Sequence, residues 1–202
     1  EAGAIEKIDE NYNHAVSVCY KCNRILEPRI LPQWFVAMTK KPKSGGKSLR
    51  DRAVDAVKED RVQFVPKRME KTFMHWMENL RDWNISRQIV WGIRIPVWYK
   101  GEEIHVGDDP GEGWEQETDV FDTWFSSGQW PFATLQNGQK GDFDTYYPTS
   151  VMETGHDIIF FWVARMIMFG TYVAGDVPFK NVYLHGMVRD KDRQKMSKSK
   201  GN

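Results

Sequence analysis

The spacing of apolar residues predicts two amphipathic helices in the first half of the chain. The segment RMEKTFMHWMENLRDW places apolar side chains at helical intervals, namely Met69, Phe73, Trp76, Met77, Leu80 and Trp83. Upstream, LRDRAVDAVKED carries a narrower stripe of Ala53, Val54 and Val57. Ser48 precedes that stripe, where a serine is favoured as the N-cap of a helix.

Short β-prone runs alternate with these helices. The runs HAVSVCY and QWFVAM, between Ala15 and Val36, predict a small sheet or ribbon. RVQFVP predicts a strand that ends at Pro66, and ISRQIVWG and RIPVWY are typical of further strands. NVYLHG, at residues 181–186, predicts a short buried strand. Because strands and helices alternate, the pattern favours an α/β layered fold.

The longest apolar run, DIIFFWVARMIMFGTYVAGD, lies between Asp157 and Asp176. It is just short of the ~20 residues that a bilayer requires, and Arg165, Gly170 and Thr171 interrupt it. We therefore predict a buried helix of a soluble domain and no membrane partner.

Composition limits the partners that the chain can have. The 202 residues include 28 Lys and Arg, 28 Asp and Glu, and 9 tryptophans. Balanced charge gives no general attraction to nucleic acid or membrane, so any polyanion site must be local. So many tryptophans favour a pocket or interface built from aromatic side chains. The sequence begins at Glu1 without methionine and ends inside a motif, and we expect it to be a piece of a longer protein.

The two cysteines, Cys19 and Cys22, lie in the motif CYKC. So few cysteines fit a reducing compartment. Their spacing supplies half of a zinc site, but a structural site needs four ligands and the five histidines form no cluster at finger spacing. We interpret the pair as two thiols that bind no metal. A zinc site completed by residues outside this sequence is the alternative.

The stretch GHDIIFFW suggests part of a nucleotide site. Gly155 permits close backbone approach, and Asp157 at a helix start can accept hydrogen bonds from hydroxyls such as those of a ribose. Ile158 and Trp162 are one helical turn apart and share a face. Taken alone, the motif is better explained as a carboxylate at a helix terminus followed by core residues.

The closing stretch DRQKMSKSKGN changes that interpretation. Lys195 and Lys198 alternate with small residues and a methionine, directly after VYLHGMVRD. Lysine is a compact, rotatable charge that suits phosphate oxygens. Phosphoryl and nucleotidyl transfer need such charges where negative charge develops in the transition state. The pattern therefore predicts a loop that stabilises phosphates.

The motif KMSKS, at Lys195–Ser199, resembles the signature loop of the class I aminoacyl-tRNA synthetases. Further segments occur in the order typical of the large aliphatic subgroup (valyl, isoleucyl and leucyl), namely Gln33–Phe35, Ile85–Gln88, Trp91–Gly92, Trp124–Phe125, and Gly155 with Asp157. DVFDTWFSSGQWPF is similar to the valyl members. An isoleucyl member is one alternative, and a non-catalytic nucleic-acid-binding module built on CxxC and basic loops is another.

The resemblance implies a fold and a division into domains. The fold expected is the C-terminal half of a Rossmann-type catalytic domain plus a small β-rich connective segment. Residues 1–45 would be the return from an editing or connective insertion. Residues 46–202 would be the second half of the catalytic domain, with a surface excursion at about 99–118. The HIGH signature of the first half is absent from this sequence, so the segment alone is expected to be inactive.

The resemblance also implies an activity. A protein of this kind activates valine with ATP and Mg²⁺ and transfers it to the 3′ end of valine tRNA, acting as a monomer in the cytoplasm. The matching positions are Trp124, Ile158 and Trp162 for the amino-acid pocket; Gly155, Asp157, His185, Gly186 and Lys198 for ATP; and Lys195 and Lys198 for catalysis.

Overall fold

The computed structural model describes Gly3, residues 7–19, residues 22–197 and Gly201. By its contacts the chain divides into two compact units. The larger is Gln33–Arg189, and the smaller combines Glu1–Pro32 with Asp190–Asn202. The domain boundary that the resemblance implies near residue 45 stays a prediction.

The larger unit is a mixed α/β structure. Its elements in chain order are β1 (Phe35–Val36), α1 (Leu49–Lys58), β2 (Gln63–Val65), α2 (Met69–Glu78), β3 (Trp83–Asn84), β4 (Ser86–Arg87), β5 (Val97–Lys100), β6 (Glu103–Val106), β7 (Glu115–Gln116), β8 (Val120–Phe121), α3 (Thr123–Ser127), α4 (Trp130–Gln136), α5 (Asp142–Tyr146), β9 (Thr149–Gly155), a core helix (His156–Ala174) and β10 (Phe179–His185).

A three-stranded parallel sheet in the order β2-β10-β9 forms the centre of this unit. Its buried face contributes apolar side chains such as Phe64, Val182 and Leu184 to the hydrophobic core. On the other face Val65, Val151 and Tyr183 are 44%, 57% and 50% exposed. The predicted strands at Gln63–Val65 and at β10 are confirmed, whereas β9 was not predicted.

Both predicted helices of the first half are confirmed. The Ser48 side chain caps α1 by accepting a hydrogen bond from the backbone N–H of Asp51 at 3.1 Å. In α2, Phe73 and Met77 are fully buried, and the ring of Phe73 packs 5.3 Å from that of Phe64. The helix ends at Glu78, so the last apolar residue of the predicted stripe, Trp83, lies instead in β3.

The core helix confirms the prediction of a buried helix. It combines a 3₁₀ turn, two π segments and a central α-helical turn at Arg165–Phe169, and it packs against α1 and α2. By length and composition alone it could cross a membrane, but more than half of it is buried within the fold. Its buried stretch includes Arg165, a charge that the fold must accommodate.

The remaining strands form small antiparallel pairings. The order β6-β5-β7 makes a three-stranded sheet. Its central strand β5 confirms the strand predicted in RIPVWY, whereas β6 and β7 lie in the acidic, glycine-rich stretch, whose composition did not predict strands. The prediction of a strand over ISRQIVWG was wrong beyond Ser86–Arg87, since Trp91 and its neighbours are exposed. At this point the chain passes so close to Val120 that a β-carbon on Gly92 would lie 2.7 Å from Cγ2.

Within the residues that the structure describes, the two runs predicted to form one small sheet or ribbon do not pair with each other. Phe35–Val36 of QWFVAM pairs with Trp83–Asn84 in the larger unit, whereas HAVSVCY lies in the smaller unit. Val18 pairs with Ile25 in an antiparallel bridge, and the backbone N–H of Cys19 donates to the carbonyl of Arg24 at 2.8 Å. Asn23, with a φ of 56°, makes the turn between them in the left-handed conformation that asparagine tolerates.

Candidate active site

The predicted ATP residues meet at the carboxyl edge of the parallel sheet. Strand β9 ends at Gly155 and β10 ends at His185, and these two residues are directly paired across the strands. The core helix begins immediately after β9, which places Asp157 at the same edge. Ligands of open α/β sheets bind in the crevice outside the carboxyl ends of strands, so this edge is the natural location of a nucleotide.

Gly155 and Asp157 are in close contact. A β-carbon added to Gly155 would lie 2.7 Å from Oδ1 of Asp157 and 3.7 Å from Cε1 of His185. The first distance is far shorter than van der Waals contact, so a side chain at this position would force the carboxylate to move. Asp157 itself is exposed at the surface. An exposed carboxylate over a bare backbone can accept hydrogen bonds from a pair of hydroxyls.

Both ring nitrogens of His185 face oxygen atoms. Nε2 lies 3.1 Å from Oε1 of Glu153, and Nδ1 lies 2.7 Å from the carbonyl oxygen of Gly186. The carbonyl oxygen of His185 in turn lies 3.2 Å from Nδ1 of His156. These contacts fix the strand end, while Gly186 has open space where a β-carbon would point. A flat group such as a purine can therefore approach the backbone at Gly186.

The three residues predicted for the amino-acid pocket lie on two neighbouring elements. Trp124 is in the first turn of α3, and Ile158 and Trp162 are in the core helix. All three are half-buried. The indole Nε1 of Trp162 donates to the carbonyl of Ser127 at 3.0 Å, which ties the core helix to the end of α3. The structure thus links Trp162 to the helix that carries Trp124.

A cleft of about 550 Å³ opens beside Trp124. Its aromatic lining consists of Trp76, Trp83, Trp124, Phe160 and Phe161. The charged side chains that line it are Arg81, Asp82, Arg87, Asp122 and Arg165. Ile158 and Trp162 are not part of this lining, so the cleft adjoins the predicted amino-acid pocket without coinciding with it.

The charged cluster in this cleft was not predicted. Oδ2 of Asp122 accepts a hydrogen bond from Nε1 of Trp83 at 2.9 Å and lies 3.1 Å from Nη2 of Arg87. Nη1 of Arg165 lies 3.6 Å from the same oxygen. Burial lowers the pKa of Arg165 to about 10, although the charge of Asp122 opposes that shift. The only sequence signal was an arginine inside an otherwise apolar helical run.

The lysine loop is described only in part. Lys198 and Ser199 lie outside the described residues, and Lys195 is exposed in the smaller unit. Lys195 follows a tight turn in which Oδ1 of Asp190 accepts hydrogen bonds from the backbone N–H groups of Asp192 and Gln194, at 3.0 and 2.8 Å. The catalytic role predicted for Lys195 and Lys198 stays a prediction.

Metal ligands are not clustered in the part of the chain that the structure describes. No group of three or more His, Cys, Asp or Glu side chains is placed there to hold a metal ion. Cys19 and Cys22 are not joined in a disulfide. Two thiolates alone do not complete a zinc site, which requires four ligands in structural centres.

Comparison with known proteins identifies the class. The family model described as "tRNA synthetases class I (I, L, M and V)" matches residues 4–113 and 105–202. The chain therefore belongs to the class I tRNA synthetases.

Among solved structures, methionyl-tRNA synthetase of Mycobacterium tuberculosis in its free state matches with a TM-score of 0.58 at 15% identity, over 85% of this chain and 30% of that one. A leucyl-tRNA synthetase of Agrobacterium radiobacter, solved with tRNA and LeuAMS, matches with a TM-score of 0.52 at 20% identity, over 66% of this chain and 24% of that one. At these identities the likeness establishes the fold, a half of the class I catalytic domain.

Curated relatives show similarity to one kind of class I synthetase. The three described next are each named valine–tRNA ligase. The protein of Pseudothermotoga lettingae is 50% identical over 100% of this chain and 24% of its own length. That of Bacillus subtilis is 50% identical over 100% of this chain and 23% of its own length. That of Streptomyces avermitilis is 51% identical over 95% of this chain and 22% of its own length. The chain thus spans about a quarter of the length of the relatives that it matches.

Proposed function

We propose that this chain forms part of the catalytic domain of a valine–tRNA ligase, which joins valine to the 3′ end of valine tRNA at the expense of ATP. Two findings support this assignment. The chain belongs to the class I synthetases, and it is 50% identical over its whole length to two valine–tRNA ligases. The observation that carries it is the junction of Gly155, Asp157 and His185 at the carboxyl edge of the parallel sheet.

In the proposed reaction this edge holds the nucleotide. The Asp157 carboxylate accepts hydrogen bonds from the ribose hydroxyls, and the bare backbone at Gly155 and Gly186 lets the nucleoside approach closely. His185 stays in place through its contacts with Glu153 and Gly186. ATP would arrive with Mg²⁺ as a substrate complex.

Chemistry follows at the α-phosphate. A carboxylate oxygen of valine attacks the α-phosphorus, the bond to the β-phosphate oxygen breaks, and pyrophosphate leaves, which yields valyl-adenylate. Lys195 and Lys198 supply positive charge as negative charge builds on the phosphates, a contribution that appears in the transition state. The 3′ adenosine of the tRNA then attacks the carbonyl carbon of the adenylate and releases AMP.

The aliphatic substrate offers only two methyl groups for recognition. Trp124, Ile158 and Trp162 are proposed as the apolar walls that select it. One methylene contributes only ~1–3 kcal/mol to discrimination, so the walls must be held rigidly. The hydrogen bond from Trp162 to the end of α3 provides such rigidity.

Further parts of the proposal come from the family. Residues 1–45 would return from an editing or connective insertion, and residues 46–202 would form the second half of the catalytic domain. We also propose that the intact protein is monomeric, acts in the cytoplasm, and needs its remaining length for activity.

Valine-dependent exchange of pyrophosphate into ATP tests the proposal. The full-length protein should catalyse exchange with valine in preference to isoleucine, and the isolated 202 residues should not. Preference for isoleucine, or no amino-acid-dependent exchange by the full-length protein, would refute the assignment. Robust exchange by the isolated segment would refute the need for the remaining length.

A further inference from the structure

Helix α3, which carries Trp124, is held at both ends by other side chains. At its start Oδ1 of Asp122 accepts a hydrogen bond from the backbone N–H of Trp124 at 3.4 Å. At its end the carbonyl of Ser127 accepts the indole N–H of Trp162. With only five residues, α3 has little stability of its own, so these two contacts, together with the packing of Phe125 against neighbouring rings, position Trp124.

Asp122 is itself fixed by groups that converge on its second carboxylate oxygen. Trp83 donates to Oδ2 from β3, Arg87 reaches it from β4, and Arg165 approaches it from the core helix. Asp122 is only 7% exposed. A buried carboxylate is costly unless charges and donors surround it, so loss of one partner should disturb the cap of α3.

Arg165 contacts this network through its charge and through its flat face. It is 6% exposed, and its guanidinium carbon lies 3.7 Å from the centre of the Trp83 ring. The same carbon lies 5.6 Å from the ring of Phe161, which stacks on Trp124 with centroids 5.8 Å apart. Arg165 is therefore connected to Trp124 by two chains of contacts, one through Asp122 and one through Phe161.

The hydrogen bonding of Arg165 is incomplete. Its buried Nη1 makes no hydrogen bond within the residues that the structure describes, and it approaches Asp122 at 3.6 Å, beyond ideal hydrogen-bond length. A buried cation in this state is not explained by stability alone, because an apolar side chain of similar volume would satisfy the core at least as well.

We propose that Arg165 is a positioning residue for amino-acid selection: it fixes the Trp124 wall through Asp122. This inference rests on the proposed function, in which Trp124 lines the valine pocket. Discrimination between aliphatic substrates that differ by one methylene is limited to roughly 10–200-fold even in a tight pocket. A wall that shifts by a fraction of an ångström would lose part of that factor.

The test uses the full-length protein with Arg165→Lys and Arg165→Met. Pyrophosphate exchange should show a KM for valine raised about tenfold and a valine-to-isoleucine ratio of kcat/KM lowered about tenfold, with the KM for ATP within about twofold of wild type. Arg52→Lys is the matched control. Arg52 also lies over an aromatic ring, at 5.4 Å from Tyr172, and donates to a carbonyl, that of Thr171, but it does not contact α3.

A double-mutant cycle tests the route through Asp122. Asp122→Ala, which removes the cap acceptor, should reproduce the selectivity loss. The pair Arg165→Met with Asp122→Ala should be no worse than the more severe single variant, because both disrupt one cap. Additive effects, equal changes in the KM values for valine and ATP, or unchanged selectivity would overturn the proposal. Circular dichroism and the Tm verify folding, and loss of folding in both Arg165 variants would assign this residue to the core and overturn the proposal as well. Wild-type protein without valine-dependent exchange would instead refute the proposed function.

Discussion

The backbone of Gly155 lies directly beneath the carboxylate of Asp157, so close that a β-carbon would be 2.7 Å from Oδ1. Gly155→Ala should displace this carboxylate and raise the KM for ATP roughly tenfold, with a smaller effect on valine. Initial rates of pyrophosphate exchange at varied ATP would measure the change. Gly101→Asn is a suitable control, since Gly101 has a φ of 61° and open space around it. An unchanged KM for ATP would argue against a nucleotide at this edge.

Trp162 tests the link between the core helix and α3. Trp162→Phe keeps an aromatic ring but removes the donor to Ser127, and it should raise the KM for valine severalfold while leaving that for ATP unchanged. Steady-state exchange at varied valine checks this. Trp98→Phe removes an equivalent bond, from Nε1 to the carbonyl of Gly107 at 3.1 Å, in the antiparallel sheet. If both variants behave alike, the Trp162 bond has no special role in the pocket.

The lysine loop should act on rate and not on substrate binding. Lys198→Ala is expected to reduce the rate of adenylate formation by roughly a hundredfold, the scale of losing one donor to developing charge. The affinity for valine should be almost unchanged, because the lysine acts on the phosphates in the transition state. Rapid-quench measurement of adenylate formation separates the two effects. Lys191→Ala, an exposed lysine of the preceding turn, serves as the control; a defect confined to valine binding would contradict the transition-state role.

Glu117 gives the small antiparallel sheet a dependence on pH. Burial alone would raise its pKa, but hydrogen bonds from Trp34 and Tyr99 and from two backbone N–H groups outweigh burial and lower the pKa to about 2. A folded pKa below the ordinary 4.5 means that the ionised carboxylate stabilises the fold above about pH 4.5. That stabilisation is lost as the pH falls from 4.5 toward 2.

Glu117→Gln should therefore accelerate backbone hydrogen exchange in β5–β7 by roughly tenfold near pH 7. The ratio of variant to wild-type exchange should shrink as the pH is lowered to about 3, because the wild-type carboxylate then takes up a proton when the sheet opens and its pKa returns toward 4.5. Mass spectrometry of peptides that cover residues 97–117 measures it. Glu115→Gln, an exposed carboxylate of β7, is the control. A ratio that is constant with pH would exclude the carboxylate as the cause.

Local signals in the sequence predicted the elements that depend on local physics. The cap at Ser48 and the apolar spacing of α1 and α2 are features of neighbouring residues, and the structure confirms them. Strand β9 escaped prediction because only Thr154 of its seven residues is buried, so the sequence shows no apolar alternation. Strands β6 and β7 depend on pairing with β5, which glycine-rich composition conceals.

In the candidate site, too, the sequence predicted what depends on neighbouring residues and missed what depends on long-range contacts. Gly155, Asp157 and His185 were predicted because each belongs to a short motif, and the sheet brings Gly155 and His185 together. The cluster around Asp122 could not be found in this way. Trp83 and Asp122 are separated by 39 positions, and only the fold shows that their side chains meet.

The exposed face of the parallel sheet determines how this segment would behave on its own. Val65, Val151 and Tyr183 are exposed apolar side chains on it, although parallel sheets are normally covered on both sides. Because this surface exposes apolar side chains, a recombinant polypeptide of residues 1–202 should associate into oligomers as its concentration is raised. Light scattering would measure their size. Val151→Lys would put a charge on that face and restore solubility without touching a catalytic group.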